Sequence, residues 1–318
     1  MKPLTDDLQD PFDYLPYPGR SKISWPGGRQ LAFWVAPNIE FYELNPPKNP
    51  IRTPWPRPIP DITGYSYRDF GNRVGNSRLM EVMDDCGVRG SVSLSAAVCD
   101  HHPEIIEECV ERRWDFFSHG IYNTRYSYGM DRDQERSMIL DSVETIEKAT
   151  GQRVTGYLAP ALTHTVDTLD LLAELDFTYT CDLFHDDQPQ PVNVRQGRLI
   201  SMPYSLEVND HFIFNVYGRS AQQYADILKS QLDQLLEEGA ESGTVMCIPL
   251  HAYLIGRAHR IAAFADLLRH ITSLSDDVWI TTATEIADHY LEHSYDTACE
   301  DIARAGAEQE RLAREGVA

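Results

Sequence analysis

Residues 31–40 read LAFWVAPNIE, an apolar run of strand length that ends in two polar side chains, Asn38 and Glu40. Aromatic and β-branched residues in its centre favour extended structure. In parallel α/β proteins, the carboxyl ends of strands carry the active site. We therefore predict a first strand over residues 31–37 that delivers Asn38 and Glu40 to such a site.

Outward from this segment, apolar runs of strand length alternate with segments of helical period. The later predicted strands are 91–95, 114–118, 154–158, 177–180, 199–204, 245–250 and 278–281. The predicted helices are 73–86, 103–113, 131–150, 165–175, 221–238, 258–271 and 284–293. About seven strands, each followed by a helix or loop, favour a single α/β barrel over a doubly wound sheet.

Three segments flank or interrupt this alternation. Residues 45–67 contain seven prolines, which predicts an insertion that is neither helix nor central strand, typical of a lid or an interface. The domain prediction is an N-terminal arm over 1–22, one barrel over 23–295 and a helical tail over 296–318. The tail is either a docking arm for another subunit or frayed.

Composition excludes several function classes. The formal net charge of −21 repels nucleic acid and anionic membrane surfaces, so neither is an expected partner. No signal peptide is recognisable at the N-terminus, and no stretch approaches the roughly 20 apolar residues of a membrane helix. The six cysteines show no C-x-x-C pair and are predicted to be reduced. We expect a cytoplasmic protein.

Polar side chains follow other predicted strands as well. They are His119, Asn123, Arg125 and Tyr126 after the third strand, Asp182, Asp186 and Asp187 after the fifth, and His251 after the seventh. Ala159-Pro160 ends the fourth strand. Any one of these polar residues could cap a helix or stabilise a turn. Together they predict a converging site.

Three segments resemble a known family. Asn38-Ile39-Glu40, His119-Gly120 and LHAYLIGR at 250–257 occur in the order found in the polysaccharide deacetylase (NodB-homology) superfamily. The sequence is most similar to the branch of metal-independent allantoinase and cyclic-imide hydrolases. The resemblance covers about residues 23–293. It implies an irregular (β/α)7 barrel and a homo-oligomer, a dimer or a tetramer.

The departures from the family pattern bear on the metal. The superfamily has a pair of aspartates after the first strand, one a base and the other a metal ligand, where this chain has Asn38 and Glu40. An amide cannot act as a general base. Asn123 replaces the family's second metal-binding histidine, and no arginine precedes Pro160. We expect no bound metal; the alternative is a divalent ion such as zinc held weakly by Glu40, His119 and Asn123.

The resemblance implies a hydrolase that cleaves a C–N bond in a small amide, imide or ureide. The hypothesis is that Glu40 and His119 activate water. His251, matching the family's histidine, would protonate the leaving nitrogen and be oriented by Asp182. The predicted substrate-binding residues are Asn38, Asn123, Arg125, Tyr126, Pro160, Asp186, Asp187 and Arg257.

Alternatives remain open at the level of sequence. One is a metal-dependent N- or O-deacetylase of a carbohydrate, and another is a non-catalytic barrel that only binds. Hydration or decarboxylation is a further enzymatic alternative, because a fold does not fix its chemistry. In the leading interpretation the partner is a small-molecule substrate.

Overall fold

A curled, mostly parallel β-sheet forms the centre of the chain. The computed structural model describes residues 10–47 and 59–315. The strands in these ranges are β1 (Leu31–Ile39), β2 (Ser91–Leu94), β3 (Asp115–Ser118), β4 (Gly156–Tyr157), β5 (Tyr179–Thr180), β6 (Gln190–Pro191), β7 (Ile200–Ser201), β8 (Thr244–His251) and β9 (Val278–Ile280). Their order is β6-β7-β5-β4-β3-β2-β1-β8, and β9 pairs with the amino end of β1. Only β6 and β7 pair antiparallel among the described strands.

Helices cover the outside of the sheet. They are α1 (Ile62–Phe70), α2 (Asn76–Asp85), α3 (Ala97–His101), α4 (Pro103–Glu111), α5 (Arg132–Thr150), α6 (Thr168–Glu174), α7 (Ala221–Ser242), α8 (Ala252–Ile255), α9 (Ile261–Thr272), α10 (Ala283–His293) and α11 (Tyr295–Glu315). The long helices α5 and α7 both begin with a capping box, which satisfies free amide groups at the helix start. Within residues 10–47 and 59–315, no helix combines the length and the apolar character needed to cross a bilayer.

Strand alternation sorts the core into two layers. On β1, Leu31, Phe33 and Val35 pack under the helices, whereas Ala32, Trp34 and Ala36 belong to a second apolar cluster inside the sheet. The Trp34 ring lies 6.2 Å from the ring of Tyr204, which follows β7. Four strands separate β1 from β7 in the hydrogen-bonded order, so the sheet must curl for these rings to meet.

The predicted fold class is therefore confirmed: the chain is an α/β protein with an irregular, barrel-like sheet. Helical structure also follows the barrel, as the sequence predicts, in α11. The short strand β6 was not predicted, and its two residues carry too little pattern to be recognised. Several other strands are shorter than their apolar runs, because the ends of those runs are buried without pairing in the sheet.

The prediction of an insertion without helix over residues 45–67 is wrong in its last part. Helix α1 begins at Ile62, where the Asp61 carboxylate accepts a hydrogen bond from the Gly64 amide. A π-helical turn over residues 71–75 then joins α1 to α2, so helical structure starts eleven residues before the predicted start at 73. Residues 48–58 of the predicted insertion lie outside the described residues.

Two glycines allow this helical segment to lie directly against α8. A Cβ added at Gly75 would be 2.1 Å from the Ala252 carbonyl oxygen, and one at Gly256 would be 2.6 Å from the Cα of Gly75. Neither position has room for a side chain, because backbone meets backbone there. The α1–α2 segment and the chain that follows His251 are thus in close contact.

Candidate active site

The register between β1 and β8 brings the predicted catalytic groups together. Asn38 is the partner of His251 across this parallel pair, and strand alternation turns Glu40 and His251 to the inside of the sheet. His119 follows the last residue of β3. Its Nε2 atom lies 3.3 Å from Oε1 of Glu40, and Nε2 of His251 lies 3.9 Å from the same oxygen. The three side chains expected to converge do so, at one mouth of the barrel.

Glu40 is a buried carboxylate with several donors. The Tyr42 hydroxyl donates to Oε2 over 2.8 Å, and the Asn123 side-chain amide donates to Oε1. Burial alone would raise the pKa of Glu40, but the charge of His251, the His119 imidazole and the Tyr42 hydroxyl together lower it to about 2. The carboxylate is therefore ionised near neutral pH. On its own, a carboxylate of such low pKa is a weak general base.

His251 is oriented by Asp210, a buried residue in the loop after β7. The ring Nδ1 lies 2.7 Å from Oδ1 of Asp210, and the His251 backbone amide donates to Oδ2 over 2.9 Å. Burial opposes the charged imidazole, but the carboxylates of Asp210 and Glu40 outweigh it and raise the pKa of His251 above its ordinary value. Nε2 then carries a proton on the side of Glu40.

The predicted contact between Asp182 and His251 is wrong. Tyr179 of β5 and Cys181, which directly follows this strand, point to the inside of the sheet, so Asp182 points outward. The Asp182 carboxylate accepts hydrogen bonds from the Ala159 amide and the Thr180 hydroxyl, both over 2.9 Å, and lies 2.9 Å from Nε2 of His164. Asp182 therefore supports the wall behind the site.

His119 has one ring nitrogen available to the site. Its Nδ1 lies 2.8 Å from the Leu158 carbonyl oxygen, which can only accept, so Nδ1 carries a hydrogen. Nε2 is left facing Glu40 at 3.3 Å. A proton taken up at Nε2 would be stabilised there by the ionised carboxylate. Together, His119 and Glu40 can accept one proton.

The two asparagines already donate to protein atoms. Nδ2 of Asn38 donates to the Tyr204 hydroxyl over 3.0 Å and to the Leu250 carbonyl over 3.1 Å. Nδ2 of Asn123 donates to Glu40 and, over 2.8 Å, to the Tyr42 hydroxyl. Both residues line the cavity, as predicted for substrate-binding residues, but their amide nitrogens are directed at protein atoms. They hold the carboxylate and the surrounding tyrosines in place.

Two predicted arginines lie outside the cavity. Arg125 is paired with the Glu43 carboxylate at 2.7 Å and is half exposed. Arg257 stacks at 3.7 Å over the Phe70 ring and donates to the Tyr253 and Tyr67 carbonyls. The described part of the cavity wall does not include four of the predicted substrate-binding residues, namely Arg125, Tyr126, Pro160 and Arg257. Arg257 thus connects α1 to the segment after β8 through these contacts.

Asp186 and Asp187 were predicted to bind substrate, and this is wrong. The Asp186 carboxylate pairs at 2.7 Å with Arg20. The Asp187 carbonyl accepts a hydrogen bond from the amide of Val245, near the amino end of β8. Six residues of extended strand separate Val245 from His251, a distance of about 20 Å. The loop after β5 returns to the opposite end of the sheet.

The site opens into a cavity of about 120 Å³. Its other polar and aromatic lining includes Tyr42, Arg68, Tyr204, His211, Phe212 and Tyr253. The sequence pattern does not predict a role for Arg68, Asp210 or His211 at the site. The His211 ring lies 6.0 Å from that of His251, and burial lowers the pKa of His211.

The donor set does not fit a catalytic zinc ion with three protein ligands. Glu40 and His119 could both contact a cation, but the Asn123 amide nitrogen is directed at the Glu40 carboxylate. Nε2 of His251 carries a proton, because Asp210 at Nδ1 raises the pKa of the ring. No three His, Cys, Asp or Glu side chains in residues 10–47 and 59–315 are grouped to hold a metal.

Comparisons with known proteins agree on one superfamily. A model of the polysaccharide deacetylase family matches residues 67–180. The peptidoglycan deacetylase of Helicobacter pylori is 30% identical over 142 residues, which are 44% of this chain and 48% of that protein. The chain thus spans about half the length of this curated relative.

Solved structures cover much more of the chain. A probable polysaccharide deacetylase from Pseudomonas aeruginosa PAO1 is 27% identical with a TM-score of 0.75, over 85% of this chain and 94% of that one. PuuE allantoinase is 26% identical with a TM-score of 0.77, over 90% and 99% of the two chains. The likeness therefore extends across the whole barrel.

Proposed function

We propose that the chain, which matches the polysaccharide deacetylase family model over residues 67–180 and resembles two solved structures of that superfamily, is a hydrolase that cleaves a C–N bond in a small amide, imide or ureide. One observation carries the proposal. A buried His251, held by Asp210, directs its Nε2 towards the pair formed by Glu40 and His119. This arrangement places a proton donor beside a proton acceptor, as amide hydrolysis requires.

The chemical steps follow from these positions. A water molecule attacks the substrate carbonyl carbon and gives its proton to Nε2 of His119, where the Glu40 carboxylate stabilises the imidazolium. Nε2 of His251 then donates its proton to the leaving nitrogen, and the C–N bond breaks. The products are a carboxylic acid group and an amine or amide. Glu40 thus acts chiefly through its charge, which agrees with its low pKa.

Two features favour a small substrate. The cavity has a volume of about 120 Å³ and is lined by Arg68 of α1 and by side chains of the segment after β7, a size that favours a small substrate. The allantoinase, whose name indicates a small ureide substrate, resembles this chain over nearly its full length.

A second candidate function is deacetylation of a carbohydrate. It is favoured by two curated relatives, the peptidoglycan deacetylase of Helicobacter pylori, which is 30% identical to this chain, and a peptidoglycan deacetylase-like protein of Gibberella zeae, which is 24% identical. That reaction releases acetate. With the family's metal, it would need a third ligand that Asn123 does not present in its observed orientation.

A substrate panel separates the two functions. Protein of measured metal content is incubated with cyclic imides, ureides and N-acetyl sugars, with and without a chelator. We expect ring opening or ureide cleavage that survives chelation. Acetate release from N-acetyl sugars, dependent on added divalent metal, would instead establish the deacetylase.

Asp210→Asn is expected to move the alkaline limit of activity to lower pH. The pKa of His251 is raised chiefly by the Asp210 carboxylate, so its proton is present below that raised pKa and lost as pH increases through it. An uncharged amide at position 210 removes the attraction and lowers the pKa of His251. A pH profile of kcat measures the shift; an unchanged alkaline limb would show that His251 is not the acid.

A further inference from the structure

The wall of the cavity contains a cation that lacks a carboxylate partner. Arg68 lies on α1, and one guanidinium nitrogen donates to the Gly64 carbonyl over 3.2 Å. Its Nε is buried and has no hydrogen-bond partner among the described residues. Among residues 10–47 and 59–315, no carboxylate oxygen lies within 4.0 Å of an Arg68 nitrogen, which is the distance limit for an ion pair. Arg68 thus differs from Arg125, which pairs with Glu43.

Aromatic rings lie against the guanidinium, and its buried Nε has no hydrogen-bond partner among the described residues. The central carbon of the Arg68 guanidinium lies 4.3 Å from the Tyr42 ring centre and 6.0 Å from that of Tyr253. Such rings attract a cation through their faces and accept none of its in-plane hydrogen bonds. Burial opposes the charge, yet Tyr42, Tyr253 and Glu40 together raise the pKa of Arg68 above its ordinary value. The cation therefore persists.

A charge that is largely removed from water is unfavourable unless it is paired. Arginine offers a planar fork of donors whose spacing matches the two oxygens of a carboxylate. Glu40 is already engaged by Tyr42, Asn123 and the two histidines, and does not approach the Arg68 fork within ion-pair distance. Arg68 lines the cavity, so a ligand that enters it can supply this partner.

We propose that Arg68 binds a carboxylate carried by the substrate, so that the enzyme selects anionic amides, imides or ureides. This inference rests on the proposed hydrolase and narrows its substrate class. It also gives Arg68 a role in specificity, because the carboxylate would fix the scissile carbonyl relative to His119 and His251. Sequence reasoning expected such an arginine but assigned the role to Arg125 and Arg257.

Paired substrates test the proposal by turnover. Each pair has the same hydrolysable ring and differs in one substituent, as do hydantoin-5-acetate and the uncharged 5-propylhydantoin. For Arg68→Met we expect KM of the anionic member to rise about 10- to 100-fold, with kcat within about threefold, as for the loss of one charge-assisted bidentate contact. The neutral member should be unaffected. Arg68→Lys, which keeps the charge without the fork, should recover part of the loss.

Arg136→Met is the matched control. It makes the same substitution and the same charge change at an exposed position of α5, outside the cavity. Its kinetic constants should equal those of the unaltered protein. Thermal unfolding of all variants checks that the barrel is intact. A kcat loss for both members of a pair, with KM unchanged, would show that Arg68 acts on the reaction itself and would overturn the proposal.

A binding measurement removes the dependence on turnover. Calorimetry with succinate and with uncharged 1,4-butanediol should show succinate binding that weakens at least tenfold in Arg68→Met and persists in Arg136→Met. Equal succinate binding by Arg68→Met, or no binding by the unaltered protein, refutes the carboxylate site. Arg68-dependent succinate binding without hydrolysis of any C–N substrate would refute the proposed function and leave the anion site standing.

Discussion

His251→Ala is expected to lower kcat by roughly 10²- to 10⁴-fold, the usual contribution of a general acid. The imidazole is buried, is held by Asp210 at 2.7 Å and faces Glu40, so no water can take its place with the same proton affinity. The loss should shrink for substrates whose leaving nitrogen is weakly basic, because those need less protonation. Steady-state kinetics on a series of leaving groups measure this dependence.

Two further variants control for folding. His251→Asn keeps a donor towards Asp210 but cannot supply the proton, so it should be as inactive as the alanine variant. His259→Ala removes an exposed imidazole eight residues further along and should leave kcat unchanged. Full activity in His251→Ala, with any leaving group, would exclude the mechanism.

Glu40→Gln is expected to lower kcat by a comparable factor, at least about 10²-fold, since it removes the charge that stabilises two imidazolium groups. The amide has nearly the same shape, so the loss reports charge. Because Glu40 raises the pKa of His251, the alkaline limit of the residual activity should also fall. Kinetics over a range of pH measure both effects. Glu43→Gln, at a carboxylate paired with Arg125 near the mouth, should retain most activity.

The same variant has a signature in stability. The pKa of Glu40 is depressed from 4.5 to about 2 in the folded protein. The ionised group therefore contributes stability above pH 4.5, and this contribution is lost as pH falls towards 2. Urea unfolding should show that the free energy of unfolding decreases less over that pH interval in Glu40→Gln than in the unaltered protein. An identical decrease in both proteins would mean that Glu40 is not held ionised by its neighbours.

Strand ends were the part of the site that sequence could predict. Glu40 and His251 each follow a long apolar run, and parallel pairing with a fixed register brings such ends together. Alternation along the strand could also have excluded Asp182, because it has the opposite parity to the inward residue Cys181. That signal was present in the sequence and was overlooked.

Other parts of the site depend on tertiary structure. Asp210 lies at the start of a short π-helical turn (Phe212–Val216), and no local sequence signal indicates its contact with His251. Arg68 lies next to a proline-rich stretch that was taken to be without helix, although Asp61 three residues before Gly64 is a helix-start signal. Asp186 and Asp187 were misplaced because a loop can return to the far end of a sheet within a few residues.

The contact between Gly75 and Gly256 limits how the enzyme can admit its substrate. Because main chain contacts main chain there, and the turn that contains Gly75 follows α1 directly, we expect the segment that carries Arg68 to move together with the peptide after His251. We therefore expect substrate entry and product release at the opposite side of the cavity, which is lined by Ala159, Leu162 and side chains between Tyr204 and Phe212. We expect Gly75→Ala to push the two segments apart, and so to change the positions of both Arg68 and His251 in the cavity.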